Sequence, residues 1–154
     1  MREREERLVA LGLIRELPPP LDNGELDATQ RGTFAVILGD REQKLQPFEP
    51  VVARSERLLK SLNHKLAPKV VKLDVEAGYR AVTAAGGPLP LSCLSSGEQH
   101  ELVLLHELLF DVAAHSLILI DEPELSLHVS WQEEMMRDLI DIACISVNAS
   151  SPNR

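Results

Sequence analysis

Two short stretches hold residue types that could work on a phosphate. The first is LSSGEQ, residues 94–99. Ser95 and Glu98 have the spacing of a capping box: the serine oxygen accepts from a first-turn amide and the glutamate reaches back to the cap residue's own N–H. Gly97 fits a plain cap less well, because glycine within a helix costs about 1 kcal/mol relative to alanine. It does let a ligand approach the backbone where free amides and the helix dipole favour an anion. The second stretch is LILIDEPE, residues 117–124. An apolar run of strand length, as expected of a strand covered on both faces of a parallel sheet, ends in Asp121 and Glu122. Ligands of parallel α/β sheets sit beyond the carboxyl ends of the strands. Successive strand residues point to opposite faces, so the two carboxylates can divide the labour. One can hold a hydrated Mg²⁺; the other can orient or deprotonate a water, an effect worth about 10²- to 10⁴-fold in rate. Each stretch also has a plain alternative, a capped helix and a buried strand stopped by Pro123.

The elements that must position these residues follow from the pattern. Residues 2–17 space Leu8, Leu11, Ile14 and Leu17 among charges, which predicts a helix stopped by the prolines at 18–20. Residues 18–32 read as a loop and TFAVIL, residues 33–38, as a strand. Over residues 50–66, Val51, Leu58, Leu62 and Leu66 form one helical stripe, with Arg54, Arg57, Lys60 and Lys65 on the surface. Two or three short strands joined at glycines fill residues 69–91. A heavily apolar helix spans 96–112, a strand 116–120, and a last helix 130–145, with Trp131, Met135, Leu139 and Ile142 on one side.

Taken in this order, the two stretches resemble the signature loop and Walker B strand of ABC-type ATPase heads. That class includes the SMC and double-strand-break-repair ATPases, the recombination mediators and the overcoming-lysogenization-defect family. LSSGE is similar to their LSGGQ or LSGGE loop, LILIDE to their Walker B strand, and PELSLH, residues 123–128, to the D-loop of the DNA-repair and phage-defence branch. The resemblance covers about residues 91–131. It implies ATP and Mg²⁺ as cofactors and an ATP-dependent homodimer. Ser95, Ser96, Gly97 and Glu98 would form the signature loop, with Ser95 and Gly97 contacting the γ-phosphate held by the opposite subunit. Asp121 would act on Mg²⁺ through water, Glu122 would be the general base, and residues 126–128, with His128, would cross the interface. Ser96 replaces the usual glycine. DNA and a nuclease or other effector protein are the further partners the resemblance implies, in DNA repair or defence against phage.

The same family binds the nucleotide with a GxxxxGK[ST] loop. None of the eight glycines here is followed by lysine, and the tail SVNASSPNR holds no counterpart of the family's switch histidine. The expectation is therefore an α/β fold forming the carboxyl-side portion of one ABC-type head over residues 1–154, cut at both ends or naturally truncated. Sheet and packed helices would combine with a helical and signature subdomain at 47–112, while 113–146 would supply the Walker B strand, D-loop and following helix. Phosphoryl transfer depends on gripping the nucleotide, so the chain alone is expected to have negligible ATPase activity. The competing expectation is a non-catalytic remnant serving as a dimerisation or regulatory module.

Composition is that of an ordinary globular protein, and the chain suits one domain or part of one. The net charge of −8 argues against a nucleic-acid-coating protein. It averages over an asymmetry: residues 41–80 carry nine Lys or Arg against five acids, and residues 95–141 eleven acids against one base. A mild basic patch in the middle, or solvated helix faces, would account for it. No run suits a bilayer and the start lacks the form of a secretory signal, so a cytoplasmic protein without a membrane partner is expected. Cys93 and Cys144 read as reduced structural thiols, and His100, His106 and His115 lack metal-ligand spacing.

Overall fold

The computed structural model describes residues 2–18, 27–113, 116–121 and 129–148. Helix α1, Arg2–Ala10, is shorter than its apolar spacing predicts. Gly12, at φ 70°, ends it. The Gly12 amide donates to Val9 O at 2.9 Å and the Leu13 amide to Leu8 O at 2.8 Å, closing a Schellman motif. A Cβ at Gly12 would collide with the Leu73 carbonyl, so glycine allows this turn to lie against the sheet.

Helix α2, Ala28–Leu45, contains TFAVIL, which is helical and not the expected strand. The longer register explains the difference: Phe34, Leu38, Arg41 and Leu45 recur at i, i+4, i+7 and i+11 and are the half-buried positions, whereas Val36 and Ile37 face outward. Arg41 on this face pairs with buried Glu5 of α1 at 2.6 Å. A 3₁₀ turn, Gln46–Phe48, leads into α3, Glu49–Lys65, which has proline in its first turn. Leu58 and Leu62 are fully buried as expected. At the start of the stripe it is Val52, not Val51, that points inward, and at its end Lys65 is buried instead of lying on the surface.

The expected short strands form β1, Val70–Asp74, β2, Gly78–Val82, and β3, Pro88–Leu89, an antiparallel sheet in the order β1-β2-β3. Val71 pairs with Ala81 and Asp74 with Gly78. The Asp74 carboxylate accepts from the Glu76 and Ala77 amides, shaping the turn that Gly78 completes at φ 70°. Asn63 on α3 exchanges two hydrogen bonds with the backbone of Val71, at 2.7 and 2.9 Å, which fastens the helix to β1. After a second 3₁₀ turn, Leu91–Cys93, helix α4 runs over Ser96–His106 and continues as a π-helical turn, Glu107–Asp111. Helix α5, Val129–Asn148, is close to its predicted span. One apolar cluster joins α3 (Leu58, Leu62), the sheet (Val71, Ala81), α4 and its extension (Leu102, Leu105, Leu108, Leu109) and α5 (Ile142).

Residues 116–120 are not a strand. Leu117 and Leu119 are each 85% exposed. A strand buried on both faces needs neighbours at its edges and layers above and below, and among the described residues nothing pairs with this one. The mixed α/β character holds, with a small antiparallel sheet in place of the expected sheet with a central Walker B strand.

Candidate functional site

The N-terminus of α4 is built as the spacing predicts. Ser95 is the N-cap, and both halves of the capping box form: its hydroxyl accepts from the Glu98 amide at 3.3 Å and its amide donates to Glu98 Oε2 at 2.6 Å. The first i to i−4 bond runs from the Gln99 amide to Ser95 O at 2.9 Å. The amides of Ser96 and Gly97 come before it and have no acceptor within the helix. Gly97 is buried, whereas Ser95 and Ser96 are exposed, so the cap presents the two serine hydroxyls to solvent. Gln99 reaches back to the Leu94 and Leu91 carbonyls at 2.9 and 3.3 Å, tying the incoming loop to the helix.

Glu98 would place a negative charge where an anion is to bind, but Lys69 neutralises it, with Nζ 2.7 and 3.0 Å from the two carboxylate oxygens. Burial opposes ionisation of Glu98, and the Lys69 bond and the Ser95 amide outweigh it, holding the carboxyl below its ordinary range. The Glu98 side chain is thus committed to shaping the loop. What faces outward for an anion is the Ser96 end of the helix, with its dipole and the two serine hydroxyls, donors of the kind a phosphate takes, while the Gly97 amide lies beneath them.

Behind the cap lies a charge cluster that sequence reasoning missed. Lys65 Nζ bonds Glu101 and sits 2.8 Å from Asp138 Oδ2, with the Lys65 and Glu101 side chains each 1% exposed. Asp138 also accepts from Ser61, and Arg57 contacts Asp138, at 3.3 Å, and Asp141. Burial lowers the proton affinity of Lys65, yet the bonds to Asp138 and Glu101 carry it above the ordinary lysine value. A groove of about 420 Å³ between α3 and α5 opens beside the cluster, lined by Arg57, Lys60, His64 and Arg137 among others. The signal was present in the sequence. Lys65 follows Leu58 and Leu62 on the apolar stripe of α3, and Asp138 sits between Met135 and Ile142 on that of α5. A charge on an apolar stripe calls for a buried partner. At the far end of α4, Tyr79 Oη lies 2.8 Å from Nδ1 of His106, which stacks on Phe110. His106 is thus a helix-end residue, as expected.

Asp121, the predicted Mg²⁺ residue, is exposed at the end of the irregular segment 116–121. Glu122 and His128 lie outside the described residues, as does the D-loop-like stretch between them, so the structure brings together Ser95, Ser96, Gly97 and Glu98 only. Among the described residues no cluster of His, Cys, Asp or Glu is arranged to hold a metal ion, and no helix is long and apolar enough to cross a membrane. Cys93 is a free, exposed thiol.

An AAA ATPase domain is the class that the sequence defines by comparison with known families. Residues 15–150 match the family described as "AAA domain, putative AbiEii toxin, Type IV TA system", and the chain belongs to that family. No curated protein matches it.

Proposed function

We propose that the chain supplies the signature and Walker B parts of an ABC-type ATPase that dimerises around ATP, with hydrolysis coupled to DNA repair or phage defence. The observation that carries this reading is the α4 cap, where Ser96 and Gly97 amides are left without helical acceptors and the nearby Glu98 charge is cancelled by Lys69. In the assembled site Ser95 and Gly97 contact the terminal phosphate bound by the opposite subunit. Asp121 would hold Mg²⁺, which would stabilise the charge on the transferring phosphoryl group. Glu122 takes the proton from the attacking water. The family's description, a toxin of a toxin–antitoxin pair, fits a defence role. Within the basic segment at residues 41–80, the exposed Lys60 and Lys72 are the charges that would meet DNA, since Arg41, Arg57, Lys65 and Lys69 are paired within the chain.

In an ATP-competent assembly containing this chain, Glu122→Gln accumulates an ATP-bound dimer and Ser95→Arg abolishes it, as read by light scattering with nucleotide. Normal hydrolysis by both variants would overturn the assignment. The purified 154-residue chain turns over ATP negligibly, since positioning and charge stabilisation carry phosphoryl transfer and it holds no GxxxxGK[ST] loop. That missing loop also favours a second reading, a non-catalytic dimerisation or regulatory module. ATP-dependent dimers that never hydrolyse, in any assembly, would select it.

A further inference from the structure

Three packed helices each bring a charged side chain to one meeting point. Lys65 of α3 lies between Glu101 of α4 and Asp138 of α5. Apolar replacements of such buried groups are often as stable or more so, so overall stability does not account for them. Their geometry suggests another use. Glu101 Oε2 has no partner among the described residues, so its carboxylate is held through Oε1 by Lys65. Asp138 shares that same ammonium through Oδ2, which also accepts from Ser61, and its Oδ1 accepts from Arg57 at 3.3 Å. Glu101 stands about one turn beyond Glu98, whose carboxylate closes the α4 cap.

We propose that Lys65 is a positioning residue that couples the N-terminus of α4 to α5, so that a displacement of α5 is transmitted through Asp138, Lys65 and Glu101 to the Ser96 and Gly97 amides. The proposal rests on the ATPase reading only for what those amides bind. Under that reading it links the phosphate-contacting loop to the helix that follows the Walker B-like segment.

Hydrogen–deuterium exchange on the full chain without nucleotide tests it, using Asp138→Asn, Glu101→Gln, their combination and Lys65→Met. Asp138→Asn, a change on α5, speeds exchange in the first two turns of α4 by about tenfold, in the range of couplings carried by such networks, and leaves β1 and β2 unchanged. The double variant exchanges no faster there than the faster single one, because both act through Lys65. Unaltered α4 exchange, a uniform rise that includes the hairpin, or multiplicative effects would each overturn the coupling. Should Lys65→Met fail to fold, the two near-isosteric variants decide. Since no nucleotide is present, failure here leaves the ATP site untouched, and failure of the ATP site leaves this result standing.

Discussion

The two stretches that suggested phosphate chemistry differ sharply in how they are held. At residues 94–106, Leu94 is 3% exposed, the capping box is closed, and Lys69 and Lys65 anchor Glu98 and Glu101 from outside the helix. At residues 116–121 the chain forms neither helix nor strand and its leucines are exposed. The difference teaches where structural information resides. A capping box finds its partners three residues away, so it forms wherever the helix does. A strand of a parallel sheet takes every backbone partner from another segment, so the same residues are a strand or an exposed ribbon according to what lies beside them.

The comparison breaks most severely at Lys65. Lys65→Met leaves Glu101 and Asp138 buried with their shared cation removed, which is expected to cost about 3–5 kcal/mol of unfolding free energy, measured by urea denaturation. Replacing Glu101 by Leu in the same background recovers much of the loss, because an apolar pair of similar volume is tolerated. A cost below about 1 kcal/mol, the scale of an exposed ion pair, would mean that the cluster is solvated. The pH dependence has a definite sign. The folded state holds the Lys65 proton more tightly than the ordinary value of 10.5, so this contribution is complete below that pH and is lost as pH rises through the higher folded value. Lys65→Met removes that part of the alkaline loss.

A smaller effect sharpens the account of the cap. Ser95→Ala is expected to cost about 1 kcal/mol by removing the acceptor for the Glu98 amide. Glu98→Gln loses the charge-assisted bond to Lys69. The Glu98 carboxyl is held below its ordinary 4.5, so its contribution is full above that pH and is lost as pH falls through the lower folded value. The stability difference between wild type and Glu98→Gln, followed by thermal melting, therefore narrows in acid. If the gap stays constant from neutral pH to pH 3, Lys69 and the Ser95 amide do not hold the carboxylate.

Much of this was legible because it is local. The spans of α3 and α5, the hairpin turns at Gly78 and Gly86, and the Ser95–Glu98 cap all follow from residues within one or two turns of each other. The errors were of two physical kinds. TFAVIL suggests a strand through its β-prone Thr33, Phe34, Val36 and Ile37, whereas Phe34, Leu38, Arg41 and Leu45 set a helical register within the longer α2. Lys65 was read as a surface charge because lysine usually is one, and its partners Glu101 and Asp138 lie 36 and 73 positions away. Of the candidate site, the loop is legible in the sequence, and a charge on the stripes of α3 and α5 signals a buried partner, but which charges meet is not. Their meeting is a property of the packed helices.

The smallest effect is expected in the apolar run at residues 117–120. Burial normally gives a leucine about 1.5–3 kcal/mol, and truncating one such as Leu102 in the core costs about 2–5 kcal/mol. Leu117 and Leu119 touch so little that Leu117→Lys with Leu119→Lys should change the unfolding free energy of this chain by no more than about 0.5 kcal/mol. The same pair of substitutions should reduce self-association, because an exposed apolar ribbon with unpaired backbone groups is a template for edge-to-edge pairing and lysine blocks it. Sedimentation velocity over a concentration series reads the second effect and urea titration the first. If the double variant instead unfolds the chain, residues 116–120 are part of a buried sheet, and the contrast between the two stretches disappears. If stability holds while association falls, this segment is an unsatisfied strand edge, and the built half of the candidate site, the α4 cap with its lysines, stands without it.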